Sequence, residues 1–89
     1  SPNSREFLLG GGRAAVATAD FEFGLECWRP LAQGLPKGSD QWLEAKYYQI
    51  QCLRATDIEA ARKVLSQFKA IYPEPGTSEF GQKLKNLTL

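Results

Sequence analysis

The chain has 89 residues, a net charge of +1, 43% hydrophobic residues and no histidine. That length makes one domain whose folding removes roughly 60–65% of the unfolded chain's surface from water, and the composition is that of a globule, not a disordered segment. With no block of like charge and no apolar run near 20 residues, nucleic acid, an anionic membrane surface and insertion into a bilayer are all excluded as leading interactions.

The chain opens Ser1-Pro2-Asn3-Ser4 and carries no Met, which reads as a piece of a longer protein. Ser4 is a good N-cap, and a first helix is expected from there to about Thr18, with Phe7, Leu8, Leu9, Ala14, Ala15 and Val16 as its apolar content. Gly10, Gly11 and Gly12 weaken it, each by about 1 kcal/mol relative to Ala. They fit close helix packing better than a phosphate-cradling loop, because neither a preceding strand nor a following GK[ST] is present.

Asp20 caps the second helix, and Glu22 in its first turn complements the helix dipole. Pro30 falls inside this helix and removes the hydrogen bond to the carbonyl of Glu26, so a kink is expected there. A linker, Leu35-Pro36-Lys37-Gly38-Ser39, leads to a third helix of about Gln41 to Ala55, capped by Ser39 or Asp40. This helix has two apolar rows, Ala45, Tyr48, Cys52 and Ala55 on one and Leu43, Tyr47, Ile50 and Leu53 on the other. A helix so widely apolar is central to packing, presents a face to a partner, or does both.

Thr56-Asp57-Ile58-Glu59 has the form of a capping box opening a fourth helix, about Asp57 to Ile71, which Tyr72-Pro73-Glu74-Pro75-Gly76 stops. A last helix, about Ser78 to Leu87, carries Phe80, Leu84 and Leu87 on one side and is too short to stand undocked. Cys27 and Cys52, with no CxxC pairing, read as buried reduced thiols, a disulfide between them being the alternative.

Asp20 to Pro36 is echoed 37 residues later by Asp57 to Pro73. Phe21, Gly24, Trp28, Leu31, Leu35 and Pro36 answer Ile58, Ala61, Leu65, Phe68, Tyr72 and Pro73 at equal offsets. A helical stripe repeated at such a period and closed by proline is the mark of a helical solenoid. On these residues the chain resembles the tetratricopeptide repeat family. Ala61, Leu65, Phe68 and Pro73 take that family's late Ala, Phe, Ala and Pro places, and Ala19-Asp20-Phe21-Glu22 resembles its Gly-Asp-Tyr-Glu turn. The early Trp-Leu-Gly-Tyr places depart from the pattern, holding Ala45, Tyr48, Gln49 and Cys52 in the second repeat. The resemblance implies an all-α fold of five helices: antiparallel helix-pair repeats at about 5–36 and 41–73 and a capping helix at about 78–87, wound as a right-handed superhelix.

Without histidine the commonest general base and metal ligand are missing, and the carboxylates Asp20, Glu22, Asp57 and Glu59 sit where capping explains them. No catalytic, cofactor or metal site is therefore expected. The resemblance implies instead a concave groove lined by the first helix of each repeat, which takes a peptide or protein. By position that face holds Leu43, Lys46, Tyr47, Ile50, Leu53 and Arg54, with Leu9, Arg13 and Val16 from the first repeat. Arg13, Lys46 and Arg54 would give it a preference for acidic groups, while Leu43, Tyr47 and Ile50 are equally readable as core. Pairing with a second copy or with further repeats is the alternative function. No compartment is indicated.

Overall fold

Residues 4–89 are described by a computed structural model. They form five helices and, among the described residues, no strand: α1 (Arg5–Ala17), α2 (Phe21–Gly34), α3 (Asp40–Thr56), α4 (Ile58–Ile71) and α5 (Glu79–Asn86). The caps alternate in kind along the chain. Serine oxygens begin the odd helices: Ser4 accepts from the Phe7 amide, Ser39 from Trp42 and Ser78 from Gly81. Aspartates begin the even ones, Asp20 accepting from Phe23 and Asp57 from Ala60. Each cap satisfies one of the first-turn N–H groups that a helix leaves without a partner.

The Thr56-to-Glu59 capping box is not formed. Thr56 is the last residue of α3 and its hydroxyl donates back to the Cys52 carbonyl at 2.9 Å, so Asp57 takes over as cap. The glycine triplet neither frays α1 nor delays its start, and α2 runs through Pro30 to Gly34. Between α1 and α2 the chain turns on Ala19, at φ +58°. A side chain there works against the left-handed conformation by about 1 kcal/mol or more.

The core is built on two indoles. Trp28 is fully buried, lies against Gly12 and donates its Nε1–H to the Gly12 carbonyl at 3.2 Å. Trp42, 4% exposed, donates to the Ala32 carbonyl at 3.0 Å. A buried indole N–H without an acceptor would cost about 1–3 kcal/mol, and both have one. Gly12 thus meets Trp28 while Ala15 lies near Gly24, so α1 and α2 run antiparallel. Trp42 meets Ala32 while Cys52 meets Gly24, which makes α2 and α3 antiparallel too. The small residues act as expected for close packing, but what approaches Gly12 is an indole, not another backbone.

α3 is the centre of the bundle, packed against α2, α4 and α5. Its two apolar rows divide accordingly, with Leu43, Ala45, Ile50, Cys52 and Leu53 in the core and Tyr47 and Tyr48 half-buried. Phe80 of α5 sits on that tyrosine pair, with ring centroids 5.7 Å from Tyr47 and 5.5 Å from Tyr48. Cys27 and Cys52 are buried free thiols, and burial pushes the Cys52 thiol pKa up to about 11. No helix among the described residues is long and apolar enough to cross a membrane.

Candidate functional site

A groove of about 590 Å³ runs beside α3, floored by Tyr47, Tyr48 and Gln51 and continued by Arg54. α1 contributes Val16, Phe21 at the start of α2 closes one wall, and Lys83 of α5 forms the other. The helix places these groups by its own period: Tyr47, Gln51 and Arg54 are four and three residues apart and fall on one side of α3. Gln51 Nε2 donates to the Tyr47 hydroxyl at 2.8 Å, fixing the phenol, and Tyr48 stands edge-on to Tyr47 with centroids 5.3 Å apart.

Two cations border this aromatic floor in different states. Lys83 Nζ lies 5.6 Å from the Tyr47 ring centre and 5.1 Å from that of Phe80, and its ammonium donates to Glu79 at 3.0 Å. That hydrogen bond raises the Lys83 pKa. Arg54 is exposed and forms no ion pair with any described residue. Burial pushes the Tyr48 phenol pKa up, so at neutral pH Tyr48 offers an O–H donor and an apolar face. The groove therefore offers stacking surface, amide and phenol hydrogen bonds, and one uncommitted guanidinium.

Of the nine residues placed by position on a binding face, Val16, Tyr47 and Arg54 line this groove. Leu43 and Ile50, in the same row of α3 as Tyr47, do not, being 3% and 0% exposed within the packed core. Leu9 and Leu53 are buried with them. Arg13 is committed elsewhere. Its Nε and Nη2 donate to the two carboxylate oxygens of Glu44, both at 2.9 Å, in a fork that ties α1 to α3 and raises the Arg13 pKa. An acidic partner would have to compete with that carboxylate. Lys46 is turned away, its Nζ 5.8 Å from the Trp42 ring centre beside a separate cavity.

The position-based reading missed Phe21, Tyr48, Gln51, Ala55 and Lys83. Phe21 was assigned to the repeated core stripe, and Tyr48 and Ala55 to the other apolar row of the third helix. Lys83 could have been found only by knowing that α5 docks on α3. No family model matches the chain, and neither curated proteins nor solved structures show a significant similarity to it.

Proposed function

We propose that this domain is a non-catalytic interaction module that takes a peptide or protein segment bearing an acidic group along the tyrosine groove of α3. The observation that carries the reading is the pairing of a half-buried aromatic floor, Tyr47 and Tyr48, with the uncommitted guanidinium of Arg54 in one groove. Aromatic anchors beside arginine are the residue types on which interface energy concentrates. The guanidinium orients and selects an acidic group more than it adds raw affinity.

The tetratricopeptide-like arrangement, two helix-pair repeats and a cap in a right-handed superhelix, belongs to the same proposal. The matched Asp20 and Asp57 caps support it, as do the matched positions of Gly24 and Ala61, Trp28 and Leu65, and Leu31 and Phe68, all buried. So does the linking of the odd helices side by side, α1 to α3 through Arg13 and Glu44 and α3 to α5 through Tyr47 and Phe80. In such a stack the odd helices form the concave face.

The test is a fluorescence-anisotropy titration of acidic peptides selected by phage display on the domain. Arg54→Glu should weaken binding at least tenfold, the scale of a lost charge-assisted hydrogen bond, while helicity and melting stay unchanged because Arg54 is exposed. Equal binding by both proteins would overturn the reading. Tyr47→Ala is a poorer probe, since Tyr47 also supports Phe80 and with it α5.

Self-association is a second reading, favoured by Phe7 and Phe23, 54% and 41% exposed. Phe23 lies across Gly11, and together with Gly10 and Ala14 they leave an uncharged strip on the outer side of α1. Light scattering that gives a dimer in the wild type and a monomer in Phe7→Ser would support this reading.

A further inference from the structure

At about 3.6 residues per turn, Trp42 lies half a turn round α3 from Gln51, nine residues on. There a second cavity, of about 260 Å³, opens where the linker after α2 meets α3 and α4. Its floor is aromatic: the Trp42 indole has Phe68 and Tyr72 around it, with ring centroids 5.8 and 5.1 Å away. The Trp42 hydrogen bond to Ala32 holds that floor in place. At the mouth stand Lys37, Lys46 and Ile71, the last 71% exposed.

The charges here are unbalanced. Neither Lys37 nor Lys46 forms an ion pair with any described residue. Asp40, the acidic residue nearest Lys37 in sequence, lines a different surface with Ser78 and Glu79. Lys46 is half-buried, and burial first, then the charge of Lys37, push its pKa down. The contact with the Trp42 face offers Lys46 partial relief, but a cation over a ring recovers only about 0.5–2 kcal/mol. Two ammonium groups thus share the rim of a partly dry cavity with no counter-ion among the described residues.

We propose that this cavity binds a small organic carboxylate, its apolar body against Val64, Ile71 and Tyr72 and its oxygens accepting from the ammonium groups of Lys37 and Lys46. The anion gives the two ammonium groups a counter-ion through charge-assisted hydrogen bonds. The body covers apolar surface that Ile71 and Tyr72 otherwise leave to water. With a water occupying ~30 Å³, the volume of about 260 Å³ suits a ligand of roughly nine non-hydrogen atoms. Such a group is supplied by a free aryl or alkyl acid, or by the last residue of a peptide.

Heteronuclear NMR titrations of the intact chain separate these cases. Phenylacetate should shift the Trp42 indole N–H and the Val64 and Gln67 amides saturably. Acetate, which has the charge without the body, and phenylacetamide, which has the body without the charge, should bind at least tenfold more weakly. Lys37→Gln and Lys46→Gln should each weaken phenylacetate about tenfold. Lys37 is exposed, so its variant keeps the fold, and an unchanged amide spectrum elsewhere verifies this. A peptide ending in Phe that moves the same resonances when phenylacetate does not upholds the site and makes a chain end its source. Phenylacetamide binding as tightly as phenylacetate overturns the proposal, as does the absence of a saturable shift with both phenylacetate and the peptide ending in Phe.

Discussion

Three identical residues, Gly10, Gly11 and Gly12, meet three different surroundings. A Cβ on Gly10 would touch nothing within 4 Å, one on Gly11 would lie 3.1 Å from the Cys27 sulfur, and one on Gly12 would lie 2.6 Å from Cε2 of Trp28. Gly10→Ala should therefore raise stability by about 1 kcal/mol through helix propensity alone. Gly12→Ala should lower it by about 1–3 kcal/mol, because the indole is pinned by its hydrogen bond and cannot retreat. Urea denaturation of both variants decides this, and the same sign for both would contradict it. The buried Cys52 thiol makes a separate prediction. Its pKa rises from 9.0 unfolded to about 11 folded, so the folded state holds its proton more tightly. The thiol's contribution is fully present below pH 9.0 and is lost as pH rises through about 11. The drop in urea midpoint between pH 8.5 and pH 10.5 should accordingly be smaller in Cys52→Ala than in the wild type; equal drops would show that the thiol is not responsible.

Among the elements, α5 depends most on its neighbours. Its eight residues are too few for an isolated helix in water. Docking supplies what propensity does not. Leu84 is fully buried, Phe80 rests on Tyr47 and Tyr48, and Lys69 of α4 donates to the carbonyls of Lys85 and Leu87 at 3.2 and 2.6 Å. Leu84→Ala should cost about 2–5 kcal/mol, and amide exchange should show α5 opening ahead of α1 to α4. Ile71→Ala, at an exposed position of α4, should be near neutral. Protection of α5 that survives Leu84→Ala would mean that the helix is held by other contacts. If α5 opens, Lys83 leaves the tyrosine groove with it, which links the stability of this element to the proposed binding face.

For the molecule as a whole, α3 determines what is core and what is surface. Tyr47 and Arg54 were placed on one face from the sequence alone, and both line the groove. The rest of that row was ambiguous: Leu43 and Ile50 follow the same spacing as Tyr47, yet they are sealed in by the surrounding helices. Periodicity reports that a face is apolar and cannot report which neighbour covers it. The commitment of Arg13 to Glu44, 31 residues away, was equally invisible, since an arginine on a helix surface reads as free until its partner is located. Lys46 was assigned to the groove by its position in the resembled repeat, but it lines the separate cavity with Trp42 and Lys37.

The sequence by itself determined the all-α class, the number of helices, their order and the caps at Ser4 and Asp20, with Ser39 as one of two candidates for α3. These features depend on side chains within a turn or two of each other: serine and aspartate at helix starts, a repeated apolar stripe, and Pro36 and Pro73 at helix ends. Only the tertiary structure decided that Trp28 fills the space over Gly12, that Arg13 answers Glu44, and that Lys83 joins Tyr47 at one groove while Lys46 joins Lys37 at another cavity. Each of those outcomes rests on contacts between residues from separate helices. Packing, burial and charge pairing are settled by which surfaces the helices cover, and that is a property of the assembled bundle.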